Sequence, residues 1–114
     1  MTTVALVGST GSIGRQAVEV VRAEAGRYEV VAIGAHRSAE ALAVQANELR
    51  PAVVALADEK AAAALAGRLP PGTELRVGAG ALASIATGAE VVVNGVVGFA
   101  GLPVTLAALG AGRR

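Results

Sequence analysis

The sequence has no cysteine and no tryptophan, a single methionine, and only two aromatic residues, Tyr28 and Phe99. Without cysteine there can be no disulfide and no thiolate nucleophile, which is compatible with a reducing compartment. A cytoplasmic location is expected. With so few aromatics the core has to be aliphatic, drawn from the Ala, Val and Leu that dominate a 54% hydrophobic composition. Stacking surfaces for nucleic acid are nearly absent. The formal charge is +1 and the basic residues are scattered, so there is no electrostatic footprint for DNA or an anionic membrane. The first apolar run is too short for a signal sequence or a membrane span. One histidine, His36, and one lysine, Lys60, are present, and nothing clusters histidines and carboxylates at metal-ligand spacing. No metal site is expected within these 114 residues. That length suits one domain with a real core, and the scattered charge leaves small-molecule partners as the expectation.

Glycine is what the sequence does have, 15 residues of it, and three stand three apart in Val4-Ala5-Leu6-Val7-Gly8-Ser9-Thr10-Gly11-Ser12-Ile13-Gly14. The apolar run reads as a strand buried on both faces. Beyond Ser12 the apolar positions Ile13, Ala17, Val20 and Val21 recur at the spacing of one helical face. A strand therefore enters a helix through a glycine turn, the arrangement that offers free N–H groups and partial positive charge to a pyrophosphate. Thr10 and Ser12 add hydroxyl donors. The alternative is a tight connection that holds no ligand. A triphosphate P-loop is disfavoured, because no Gly-Lys-Ser or Gly-Lys-Thr occurs.

The rest of the chain alternates strand and helix. Strands are expected at Tyr28 to Ile33, Ala52 to Leu56, Glu74 to Val77 and Glu90 to Val93. Ser38 is placed to cap a helix through Ala39, Leu42, Ala43, Ala46 and Leu49, stopped by Pro51. Asp58 is placed to cap an alanine-rich helix over Glu59 to Ala66. Further helices are expected within Ala79 to Thr87 and at Val104 to Leu109. The pattern predicts an α/β fold: a Rossmann-like, doubly wound parallel sheet in three α/β/α layers, forming one domain over 1–114. Its sheet is expected to be truncated, since the chain stops after a helix where another strand would follow.

The residue ending the second strand selects the cofactor. An NAD site places a carboxylate there for the ribose hydroxyls, whereas an NADP site places a cation against the 2′-phosphate. Here the exit loop reads Gly34-Ala35-His36-Arg37-Ser38, with no carboxylate, an Arg37 fork for a phosphate and a Ser38 hydroxyl. The competing reading of Arg37 is a solvated surface charge. His36 lies at the adenosine end, which suits packing against the cofactor better than general-base chemistry. A second glycine series, Asn94-Gly95-Val96-Val97-Gly98-Phe99-Ala100-Gly101, follows the last strand, so Asn94 is a candidate to border the nicotinamide half. The same glycines would also serve simple tight turns.

These residues resemble a known family, the 1-deoxy-D-xylulose 5-phosphate reductoisomerases. Gly8-Ser9-Thr10-Gly11-Ser12-Ile13-Gly14 with Gln16-Ala17 and Val20-Val21 is similar to that family's N-terminal NADPH loop. Asn94-Gly95-Val96-Val97-Gly98 through Gly101-Leu102, Thr105-Leu106-Ala107-Ala108 and Ala111-Gly112 is similar to its closing stretch. The glycine turn makes Gly8, Gly11 and Gly14 candidate cofactor-binding residues, and the resemblance implies that Thr10, Gly11, Ser12 and Ile13 bind the NADPH pyrophosphate. His36, Arg37 and Ser38 would then hold the 2′-phosphate. The family commonly has a glycine, a lysine and an asparagine in that second loop, and its proline directly before the threonine, where this chain reads Leu102-Pro103-Val104-Thr105. The resemblance further implies an enzyme that isomerises a phosphorylated ketose and reduces the product with NADPH to 2-C-methyl-D-erythritol 4-phosphate, on the non-mevalonate route to isoprenoids. Mg or Mn would be its metal, a homodimer its assembly, and the metal and substrate ligands would lie beyond Arg114. On that view this stretch holds cofactor and performs no chemistry, so no catalytic residue is assigned. Two other readings remain: a non-catalytic NADP-sensing module, and another NADP oxidoreductase. A short-chain dehydrogenase would need Tyr-x-x-x-Lys, but Ala32 stands four residues after Tyr28.

Overall fold

The computed structural model describes residues 2–24, 26–65 and 67–94. In chain order the elements are β1 (Thr2–Val7), α1 (Ser12–Ala23), β2 (Tyr28–Ala35), α2 (Ala39–Leu49), β3 (Val53–Leu56), a 3₁₀ helix (Glu59–Leu65), β4 (Glu74–Val77), α3 (Ala81–Ile85) and β5 (Val91–Asn94). The strands form one sheet in the order β4-β3-β2-β1-β5, and every pairing is parallel.

This order follows from the connections. Three consecutive crossovers step the chain from β1 outward to β4. Right-handed crossovers that progress in one direction put their helices on one face, and α1, α2 and the 3₁₀ helix share a core with Val4, Leu6, Ile33 and Leu56. The fourth crossover reverses direction to reach the far side of β1. Its helix α3 accordingly packs on the opposite face, against Ala5, Val7, Ala32 and Ala55. Adjacent β1 residues thus feed opposite cores, as strand alternation requires, and the layering is the doubly wound, Rossmann-like one expected.

Differences from the sequence reading have physical causes. β2 runs two residues further than Ile33 and takes in Gly34 and Ala35, which the sequence pattern assigns to its exit loop. A Cβ on Gly34 would stand 2.7 Å from Leu82 Cδ2, so this glycine lets α3 lie close on the sheet rather than forming a turn. The β1–β2 register also skips Val31 between Val4/Val30 and Ala5/Ala32, so Val30 and Ile33 face the same core in spite of their odd spacing. In α1 the buried valine is Val18, at 5% exposure, while Val20 is 56% exposed. The contacting stripe is Gly14, Ala17, Val18 and Val21, an i, i+3, i+4, i+7 series. Its first member has no side chain, so a hydrophobic pattern overlooks it. The alanine-rich segment is a 3₁₀ helix rather than an α-helix. Leu65 is its one buried side chain, and packing around a single anchor overrides propensity. Asp58 Oδ1 does accept from the Lys60 N–H, at 2.9 Å. The strand Glu74–Val77 has the bounds expected. The expected helix at Val104 to Leu109 and the glycine series after Asn94 lie outside the described residues, as does Ala66.

Candidate dinucleotide site

The chain steps away from β1 on one side through β2, β3 and β4, and then returns to its other side with β5, so the topological switch point is the β1/β5 boundary. Ligands of open α/β sheets lie beyond the carboxyl ends of the strands at that boundary. Here Gly34, Val7 and Asn94 pair in one row across β2, β1 and β5. The loop after Val7 is therefore flanked by the loop after Ala35 on one side and by Asn94 on the other.

The loop after β1 is fixed from several directions. Gly8 has φ 79°, a left-handed conformation that favours glycine. The Gly8 and Ser9 N–H groups both donate to the Gly34 carbonyl, at 2.7 and 3.0 Å, which is what the extra length of β2 provides. The Gly11 N–H closes a turn on the Gly8 carbonyl at 3.1 Å. Ser9 is fully buried. Its hydroxyl donates to Gln45 Oε1 at 2.7 Å, and Gln45 Nε2 donates back to the Ser9 carbonyl at 2.8 Å. Arg15 Nε donates to the Thr10 carbonyl at 2.8 Å.

The three glycines are not equivalent. A Cβ on Gly14 would lie 2.5 Å from Ser9 Cα and 2.7 Å from Ser9 C, so Gly14 is needed for the helix to pack on the turn. Gly11 caps α1 with φ −81° and ψ 178°, ordinary extended backbone. A Cβ there would meet only the Gly8 carbonyl, at 3.6 Å. That is ordinary van der Waals contact, so nothing within the described protein requires a glycine at this position. Helix α1 has no acidic residue in its first turn, so its unpaired N–H groups and partial positive charge are not neutralised locally. The Thr10 N–H finds no acceptor among the described residues.

In the second loop His36, Arg37 and Ser38 are all exposed. The His36 carbonyl accepts from the Asp58 N–H at 2.7 Å, and the Arg37 carbonyl from the Ala39 N–H at 2.9 Å. These bonds pin the backbone and leave the side chains outward. Among the described residues Arg37 makes no ion pair. Ser38 occupies the N-cap position of α2, but its hydroxyl makes no capping bond. Asn94 ends β5 in register with Val7. Ser12 and Ile13 open α1. Sequence reasoning missed Gln45 and Arg15. Gln45 stands three residues after Leu42 and four before Leu49, a polar residue inside the apolar stripe of α2, and that mismatch was the available signal. Among the described residues the displaced carboxyl lies elsewhere: the Arg76 guanidinium, hydrogen-bonded at 2.6 Å, holds Glu74 below the usual carboxylate range. Glu74 begins β4, at the opposite end of the sheet from the switch point.

The family model of 1-deoxy-D-xylulose 5-phosphate reductoisomerase matches residues 4–114. The chain belongs to this family. The reductoisomerase of Anaeromyxobacter sp. (strain K) is 44% identical over 99% of the chain, which covers 30% of that relative. That of Beutenbergia cavernae is 51% identical over 96% of the chain and 29% of its own length. Among solved structures, the Zymomonas mobilis reductoisomerase in complex with NADPH matches with a TM-score of 0.91 at 33% identity, over 98% of this chain and 30% of that one. A reductoisomerase in complex with NADPH, fosmidomycin and magnesium matches with the same TM-score of 0.91 at 31% identity, over 100% of this chain and 29% of that one. The chain thus spans about 30% of the length of the reductoisomerases it matches.

Proposed function

We propose that this chain is the NADPH-binding part of a 1-deoxy-D-xylulose 5-phosphate reductoisomerase. The observation that supports it most is Gly11: a helix cap in ordinary extended backbone, a glycine where the protein's own packing would accept a Cβ, at the switch point of the sheet. A pyrophosphate laid there receives N–H groups from Thr10 and from Ser12 and Ile13 in the first turn of α1. Gly8 and Gly14 hold the loop in shape without touching the ligand side. The adenosine half then extends over the end of β2, where Arg37 and Ser38 receive the 2′-phosphate and His36 borders the adenosine. The nicotinamide half extends toward Asn94. NADPH supplies a hydride, and these residues bind and orient it.

In the full-length enzyme the reaction isomerises and reduces 1-deoxy-D-xylulose 5-phosphate to 2-C-methyl-D-erythritol 4-phosphate, in a cytoplasmic homodimer. Its Mg or Mn would be held by residues other than those described here, among which no group of three or more histidine or carboxylate side chains is placed to hold a metal. On this reading the stretch contributes cofactor binding, and substrate and metal chemistry fall to other parts of the enzyme.

Arg37 decides the cofactor. NADPH and NADH differ only in the 2′-phosphate, and a hydrogen bond to a charged group contributes about 1.5 to 3 kcal/mol. Calorimetric titration of both cofactors should find that Arg37→Ala weakens NADPH roughly 10- to 100-fold and leaves NADH little changed. The loss should shrink at high salt, since the contact is exposed. Equal losses for the two cofactors would show that Arg37 supports the loop and does not read the phosphate.

A further inference from the structure

The two bonds between Gln45 and Ser9 fix the orientation of both groups. A carbonyl oxygen only accepts, so the amide nitrogen of Gln45 has to face the Ser9 carbonyl, and Oε1 is left to accept from the Ser9 hydroxyl. The pair is closed on itself at 2.7 and 2.8 Å, with Ser9 fully buried. Because the peptide is planar and trans, the Thr10 N–H points away from the Ser9 carbonyl. Holding that carbonyl against α2 therefore turns the Thr10 N–H outward, and this is the N–H that has no acceptor among the described residues. Gln45 also removes a carbonyl dipole that would otherwise be free to rotate toward an anion.

We propose that Gln45 is a positioning residue for the dinucleotide's pyrophosphate: by clamping the Ser9 peptide it presents the Thr10 N–H to a phosphate oxygen. The inference rests on the NADPH reading above. It also gives α2 a double task. The helix begins directly after Arg37 and Ser38 and grips the pyrophosphate loop two turns later, so the two anion-reading segments are tied to one rigid rod.

The test compares NADPH with adenosine 2′-monophosphate, which keeps the 2′-phosphate and lacks the pyrophosphate. Both are titrated by NMR against the whole chain and its Gln45→Met variant, which preserves side-chain length and removes both hydrogen bonds. NADPH should weaken about tenfold, while adenosine 2′-monophosphate binds as before. Gln45→Glu keeps an acceptor for the hydroxyl but has no donor for the carbonyl, and should not rescue. Ser9→Ala removes the hydroxyl bond alone and should give a smaller loss confined to NADPH, which keeps the question decidable if Gln45→Met does not fold. Equal losses for both ligands, or no loss for either, would overturn the proposal and leave Gln45 a structural residue. Failure of the unsubstituted chain to bind NADPH would overturn the cofactor reading, and this inference with it.

Discussion

Gly8 takes a φ of 79°, Gly14 has the Ser9 backbone where its Cβ would be, and Gly11 has only a carbonyl oxygen 3.6 Å from its Cβ position. Substitution should separate these roles. Gly14→Ala should lower the thermal midpoint sharply, because Ser9 backbone cannot yield as a flexible side chain would. Gly11→Ala should melt like the unsubstituted protein and yet lose NADPH affinity. Overpacking a close contact costs about 1 to 3 kcal/mol, or roughly 5- to 150-fold in affinity. Circular dichroism melts and calorimetry measure the two effects separately; a Gly11→Ala chain that binds normally would mean the ligand does not approach there. The spacing of these glycines is legible in the sequence, but their separate duties are not. Each depends on where a Cβ vector points relative to backbone that comes close only on folding. The same holds for Ser9 and Gln45, 36 residues apart, whose contact exists only because α2 packs on β2 and β3.

Helix α2 is the element on which the site depends most. It starts after Arg37, holds Ser9 through Gln45, and is tied to α1 by the Arg22–Glu48 ion pair. That pair is solvent-exposed and contributes little by itself, so the docking relies on Leu42, Ala43 and Ala46, all buried. The helix ends at Arg50 with φ 49°, a left-handed conformation forced on a non-glycine residue because Pro51 disfavours continuation. Arg50→Gly should relieve that strain. A gain of about 1 kcal/mol raises the melting midpoint of a small domain by roughly 4 to 8 °C, with NADPH affinity unchanged; a lower midpoint would show that the arginine side chain stabilises the turn more than its backbone strains it. Boundaries such as Ala39–Leu49 were readable because Ser38 and Pro51 bracket an apolar periodicity. The 3₁₀ geometry of Glu59–Leu65 and the length of β2 were not, because packing against α2 and α3 decides them.

At the scale of the whole molecule, the strand order β4-β3-β2-β1-β5 brings three strand ends together at one crevice, and the pyrophosphate loop stands at its centre. Parallel alternation of strand and helix predicts this layering, and the position of the reversal follows from β5 pairing with β1, a long-range choice that no local pattern encodes. The central claim is that NADPH lies across this crevice, with its pyrophosphate on α1 and its 2′-phosphate at the end of β2. Two-dimensional ¹H–¹⁵N NMR of the chain titrated with NADPH tests that placement directly. The account predicts saturable shifts of the amides of Thr10, Ser12 and Ile13 together with those of Arg37 and Ser38, and none in Glu74–Val77, the edge strand remote from the switch point. Shifts centred away from the Gly8–Gly14 loop, or an unchanged spectrum at saturating NADPH, would contradict it.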